Sequence, residues 1–149
     1  MDEAKAEYIQ QWLRKSYTDL RSAERLAGPP DAILATAFYH CQQAAEKAVK
    51  GYLAFCDHPL EKTHNVKALV RLATRYEPRF SAWEEAAQRL TPYAVAFRHP
   101  PAATEPDAEQ YQRAEQAAGG LFAFVCSLLP EEARPSEQSP KPKDDNPVV

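Results

Sequence analysis

Apolar residues recur in steps of three and four along most of the chain, the period of amphipathic helices. The longest such run, residues 31–55, reads DAILATAFYHCQQAAEKAVKGYLAF; it holds no proline and is rich in alanine. Leu34, Phe38, Cys41, Ala45, Ala48, Tyr52 and Phe55 form its core stripe. A roughly opposite stripe carries Thr36, His40, Gln43, Lys47 and Lys50 and predicts a wet polar face. Ala37, Ala44 and Gly51 recur every seventh residue and predict a flank where another backbone comes close. Asp31 is the expected N-cap.

The flanking segments follow the same rule. A first helix is predicted from Ala4 to Ala27, with Ile9, Leu13, Ser16, Leu20, Ala23 and Ala27 on one side and Tyr8 and Trp12 widening it. Gly28 and Pro29-Pro30 stop it. A third helix is expected over Val66–Tyr76, capped by Thr63 or Asn65. Ser81 and Glu84 have capping-box spacing for a fourth, running toward Phe97 and kinked or split near Leu90 by Pro92. Thr104, with Asp107 three residues on, opens a fifth, whose stripe is Tyr111, Ala114, Ala118, Leu121, Val125 and Leu128. Gly119-Gly120 interrupts it at about 1 kcal/mol per glycine relative to alanine, pointing to a close helix contact or a local break.

No segment alternates with period two, so no sheet is expected. The pattern predicts an all-α, antiparallel four- to five-helix up-and-down bundle over residues 1–129. The apolar period fades after Leu129, and the proline-rich, charged residues 130–149 read as a disordered tail.

Composition narrows the function classes. The 149 residues suit one domain, and a formal net charge of −3 argues against a strongly electrostatic nucleic-acid binder, leaving only a local basic face open. No apolar run approaches the ~20 residues of a membrane span, and the polar start MDEAKAEY is no secretory signal. Three cysteines without a close-spaced pair suggest reduced thiols in a cytoplasm.

The candidate chemistry lies on two stretches. His40, Gln43, Lys47 and Lys50 share a stripe that can hold an anion or an acidic partner, or simply be solvated. His64 either joins such a site or anchors its loop. Arg98 and His99 precede two prolines and can face a phosphate; alternatively, Arg98 caps the last carbonyls of helix four. Glu46 and Lys50 form an i,i+4 pair. Metal-ligand spacings, a P-loop and G-x-G-x-x-G are all absent from the sequence, so neither a metal nor a cofactor is expected.

Residues 37–55, with Gln42-Gln43-Ala44-Ala45-Glu46-Lys47-Ala48 and Lys50, resemble the second helix of HEPN domains. Lys62-Thr63-His64, Tyr93 upstream of Arg98-His99-Pro100, and a final alanine-rich helix extend the likeness to about residues 5–129. The resemblance implies a homodimer and, often, a small nucleotidyltransferase as partner in a toxin–antitoxin-like pair. It makes His40, Gln43, Lys47, Lys50, His64, Tyr93, Arg98 and His99 candidate contacts for a nucleotide, an RNA or a partner. The ribonuclease branch of the family carries an arginine, four to six residues, then a histidine near the start of the last helix. Here Arg98 meets His99 directly and no histidine follows. The reading is therefore a non-catalytic nucleotide- or partner-binding subunit. A ribonuclease with an atypical Arg98/His99 site and a structural dimerisation module are the alternatives. Ala37, Ala44 and Gly51, with Tyr39, Val49 and Leu53, are the expected dimer surface.

Overall fold

The computed structural model describes the backbone of residues 1–96 and 105–135, and the side chains of residues 1–90 and 105–135. Its helices are α1 (Glu3–Ala27), α2 (Leu34–Phe55), α3 (Val66–Thr74), α4 (Glu84–Ala96) and α5 (Ala108–Leu128). Two 3-10 turns, Pro78–Trp83 and Glu131–Ala133, complete the list, and no strand occurs among the described residues. The all-α bundle read from the sequence is the fold.

Helix directions follow from the side chains that meet. Ser16 on α1 donates to the Ala44 carbonyl at 2.6 Å, and Asp19 reaches His40, so α1 and α2 run antiparallel. Trp83, just before α4, packs on Phe124 near the end of α5, so the start of α4 lies beside the end of α5. Helices α1, α2, α4 and α5 thus alternate in direction, with α3 and the first 3-10 turn inserted in the α2–α4 connection. Helix α2 lies at the centre and touches each of the other four.

Close packing on α2 explains its small residues. A Cβ on Gly51 would lie 2.5 Å from a Leu13 methyl and 3.2 Å from the Trp12 Cβ. Ala37 and Ala44 are fully buried, as is Val49, and Leu53 nearly so. The flank expected to meet a second subunit is therefore covered by the chain itself. Hydrophobic burial at about 25 cal/mol per Å² is spent within one protomer there.

Several boundaries differ from the sequence expectation for local reasons. Asp31 caps nothing: Ile33 donates its N–H to the Leu26 carbonyl at 2.7 Å, holding residues 28–33 back against α1, and α2 begins at Leu34 without a side-chain cap. Ser81 is no N-cap either, because Pro78–Trp83 winds as a 3-10 turn whose Glu77 carboxylate accepts from Arg79 N–H. Pro92 does not split α4, which continues from Glu84 to Ala96. The cap of α5 is Asp107, in a reciprocal capping box with Gln110; Thr104 lies outside the described residues. Helix α2 ends in a Schellman motif, with His58 N–H on the Leu53 carbonyl and Asp57 N–H on the Ala54 carbonyl, both 3.0 Å. Asp57 takes the left-handed position, φ 59°, where glycine is usual.

The domain boundary also moves. Residues 131–133 turn back onto the bundle, Ala133 is fully buried, and Gln10 Nε2 donates to the Glu132 carbonyl at 2.6 Å. An alanine at the right register suffices to seat this turn, although the wider segment has no apolar period. Residues 136–149, the rest of the expected tail, lie outside the described residues.

The glycine pair in α5 makes a paired prediction. The helix runs unbroken through both. A Cβ on Gly120 would sit 2.7 Å from the Trp83 ring, whereas one on Gly119 meets nothing within 4 Å. Gly119→Ala is expected to stabilise by about 0.5–1 kcal/mol, the ordinary helix gain. Gly120→Ala is expected to lose about 1–3 kcal/mol, since the indole must move off Phe124. Urea midpoints of the two variants should move in opposite directions.

Candidate functional site

Thr36 stays exposed, and the rest of the polar stripe of α2 resolves into two clusters tied to neighbouring parts of the chain. The reason is the position of α2: a central helix has neighbours on every side, so its polar residues must find partners inside the fold.

The first cluster forms on Asp19 of α1, a buried carboxylate. One oxygen meets His40 Nδ1 at 2.7 Å and the other takes Lys47 Nζ at 2.6 Å. His40 and Lys47 are seven residues apart on α2, which puts them on one face two turns apart. Both are half-buried, so an edge of each remains in contact with water. Asp19 occupies Nδ1 and leaves the Nε2 of His40 as the nitrogen available to a ligand. The Tyr39 ring packs edge-on against that imidazole.

The second cluster converges on Glu46. Its Oε2 accepts from Lys50 Nζ at 2.8 Å and meets His64 Nδ1 at 3.0 Å. Its Oε1 accepts from the amides of Gln42 at 3.2 Å and Gln43 at 3.4 Å. Gln42 also donates to the His64 carbonyl at 2.8 Å, which ties the loop before α3 to α2. The Glu46 and Lys50 side chains are only 5% and 7% exposed. Lys50 further lies 6.0 Å from the centre of the Trp12 ring. Burying this pair is tolerable because nearly every lone pair of the carboxylate has a donor. Lys50 is thus a structural cation, not part of a wet face, and the sequence reading is corrected there.

The remaining candidates scatter. His64 ties its loop to α2 through its carbonyl and its ring Nδ1, and its side chain is 77% exposed. Tyr93 lies on α4 in the stretch described by backbone alone. Arg98 and His99 lie outside the described residues. Sequence reasoning missed Asp19; it paired Glu46 with Lys50, as the structure does, without the burial of that pair. A carboxylate at Asp19, three residues after buried Ser16 and four before buried Ala23, sits in core register and was the available signal.

The thiols offer no nucleophile. Burial pushes Cys41 up to about 12, with the Glu115 charge adding to it, and pushes Cys126 up to about 11. Cys56 is also raised by burial. All three are therefore protonated at neutral pH. Among the described residues, no three His, Cys, Asp or Glu side chains are grouped to hold a metal, and no helix is long and apolar enough to cross a membrane.

Compared with known proteins, residues 9–129 match the HEPN domain family. No curated protein matches the chain. Among solved structures the chain is similar to TT1696 from Thermus thermophilus, at 29% identity and a TM-score of 0.67, over 81% of this chain and 98% of that one.

Proposed function

Because the chain belongs to the HEPN domain family, we propose that it is a non-catalytic binding subunit that takes a nucleotide or a partner protein. In this reading it forms a homodimer and pairs with a small nucleotidyltransferase in a two-component, toxin–antitoxin-like system of the cytoplasm. The observation that carries it is the commitment of the α2 cations: Lys47 is bound to Asp19 and Lys50 to Glu46. Groups held this way can contribute an edge to an anion, the role this reading gives to His40 and Lys47. They are not free to gather around a reacting phosphate.

The order of Arg98 and His99 supports the same reading. A phosphate-holding arginine and a proton-handling histidine must converge on one centre. On a continuing helix adjacent residues diverge by about 100°, a limit that Pro100 relaxes. The spacing that marks the ribonuclease branch of the family, four to six residues between arginine and histidine, is absent. The homodimer in this reading uses surfaces other than the Ala37/Ala44/Gly51 row, which is buried within the chain.

The test pairs labelled RNA with a calorimetric titration, using the protein alone and the protein purified with the product of its neighbouring gene. The wild type is expected to leave RNA intact and to form a complex with that product. Arg98→Ala is expected to weaken anion binding by about 1.5–3 kcal/mol, the range for a hydrogen bond to a charged group. His99→Ala should matter less, since neutral imidazole brings no full charge. RNA cleavage by wild type that both substitutions abolish would replace this reading with the ribonuclease one.

A further inference from the structure

A cleft of about 500 Å³ lies between the first turns of α1 and the loop that follows α2. Leu53 and Ala54 contribute apolar surface from α2, and Tyr8 and Leu60, 44% and 59% exposed, face it from α1 and the loop. Beside it, the exposed Tyr76 bonds His58 Nδ1 through its hydroxyl, so the apolar surface continues past the cleft. Few large apolar side chains are exposed elsewhere on the described surface.

The charges around this cleft do not balance. Two lysines line it, but the Lys50 charge is taken up by Glu46 and the Lys5 charge by Asp57, at 3.1 Å. Lys5 Nζ is also drawn over the Phe55 ring, 5.6 Å from its centre. Asp2 and Glu61 remain, and the Asp57 carboxylate is 78% exposed and open to a second cation. Among the described residues Glu61 pairs with His58, at 2.8 Å. The cleft is therefore apolar within and negative at its rim.

We propose that this cleft docks a segment of a partner polypeptide in which an arginine or lysine is flanked by aliphatic residues. The aliphatic side chains bury against Leu53, Ala54 and Leu60. The long cationic side chain lays its methylenes along the same surface and carries its charge to Asp57 and Glu61. A guanidinium can also stack on the Tyr8 ring. Charge complementarity selects this partner class: phosphates, RNA and acidic peptides are repelled by the rim. The inference goes beyond the reading above, which turns on His40, Lys47, Arg98 and His99, and stands if that reading fails.

The experiment follows amide shifts of the isotope-labelled full chain during titration with a blocked Ser-Gly-Leu-Arg-Leu-Gly-Ser peptide. The same peptide with glutamate in place of arginine is the control. Shifts are expected at Tyr8, Leu53 and Leu60, with the arginine peptide binding at least tenfold tighter than the control. The D57N/E61Q variant should bind at least fivefold more weakly; asparagine tolerates the left-handed backbone that Asp57 adopts. Tyr8→Ala, at an exposed position, provides a second variant with the same expected direction. Equal affinity for both peptides, shifts confined elsewhere, no shifts at millimolar peptide, or unchanged binding by both variants would each overturn the proposal. So would the same shifts on adding a short RNA oligomer.

Discussion

Glu46→Leu is expected to destabilise the protein by about 3–5 kcal/mol, the usual cost of leaving one partner of a buried ion pair without its counter-charge. Lys50 would be left with its side chain only 7% exposed and no carboxylate beside it. The amides of Gln42 and Gln43 would lose an acceptor as well, and the His64 loop would lose a tether. For a chain of this size the melting temperature should fall by roughly 10 °C or more. The double variant Glu46→Leu/Lys50→Met should recover most of that loss, because it removes both charges and keeps the volume. Thermal and urea unfolding of wild type, both single variants and the double complete the cycle. A loss below about 1 kcal/mol for Glu46→Leu would mean that water reaches Lys50.

Phe80→Ala is the other large effect, expected to cost about 3–5 kcal/mol. Phe80 is fully buried although it belongs to a short 3-10 turn. Its ring lies 4.9 Å from Tyr52 and 5.0 Å, edge to face, from Phe124, so it joins α2 to α5 beneath the start of α4. Truncation leaves a cavity between three elements that cannot collapse together. Phe80→Leu should lose less than half as much. Leu60→Ala, at an exposed position in a loop, should stay within about 0.5 kcal/mol. Urea unfolding of the three variants separates these outcomes; a Phe80→Ala value close to the Leu60→Ala value would show that the turn carries no core.

The contrast between Phe80 and Lys50 shows what was legible in the sequence. Periodicity identified the helices and most of the inward residues of α1, α2 and α5, because those registers repeat over five or more turns. It reports which residues share a face, but not how many neighbours a helix has. Lys50 looked wet because it lies opposite Phe38 and Cys41, and only the placement of α1 and of the His64 loop closes that side. The core register of Asp19 was readable, but its partners were not: His40 and Lys47 lie 21 and 28 residues away, beyond any local window. Phe80 sits in a turn too short to show a period, and the Ser81/Glu84 spacing suggested a helix start that Pro78 had already pre-empted with tighter winding. At α5 the sequence offered a start at Thr104 with Asp107 as its acidic partner, whereas Asp107 is itself the cap and Gln110 returns its hydrogen bond.

The central place of α2 has a consequence for how the molecule comes apart. Helices α1, α3, α4 and α5 each rest on it, so detaching any of them uncovers part of the same buried helix. Partial opening of the bundle therefore exposes apolar surface, and with α1 or the His64 loop it also exposes a carboxylate that holds a cation. The low-energy excursions are left to short outer pieces, such as the 3-10 turn at Glu131–Ala133, held by one buried alanine and a few hydrogen bonds. Helix α2 then belongs to the last cooperative unit to open, the part of the chain whose local and global stabilities are nearly the same quantity.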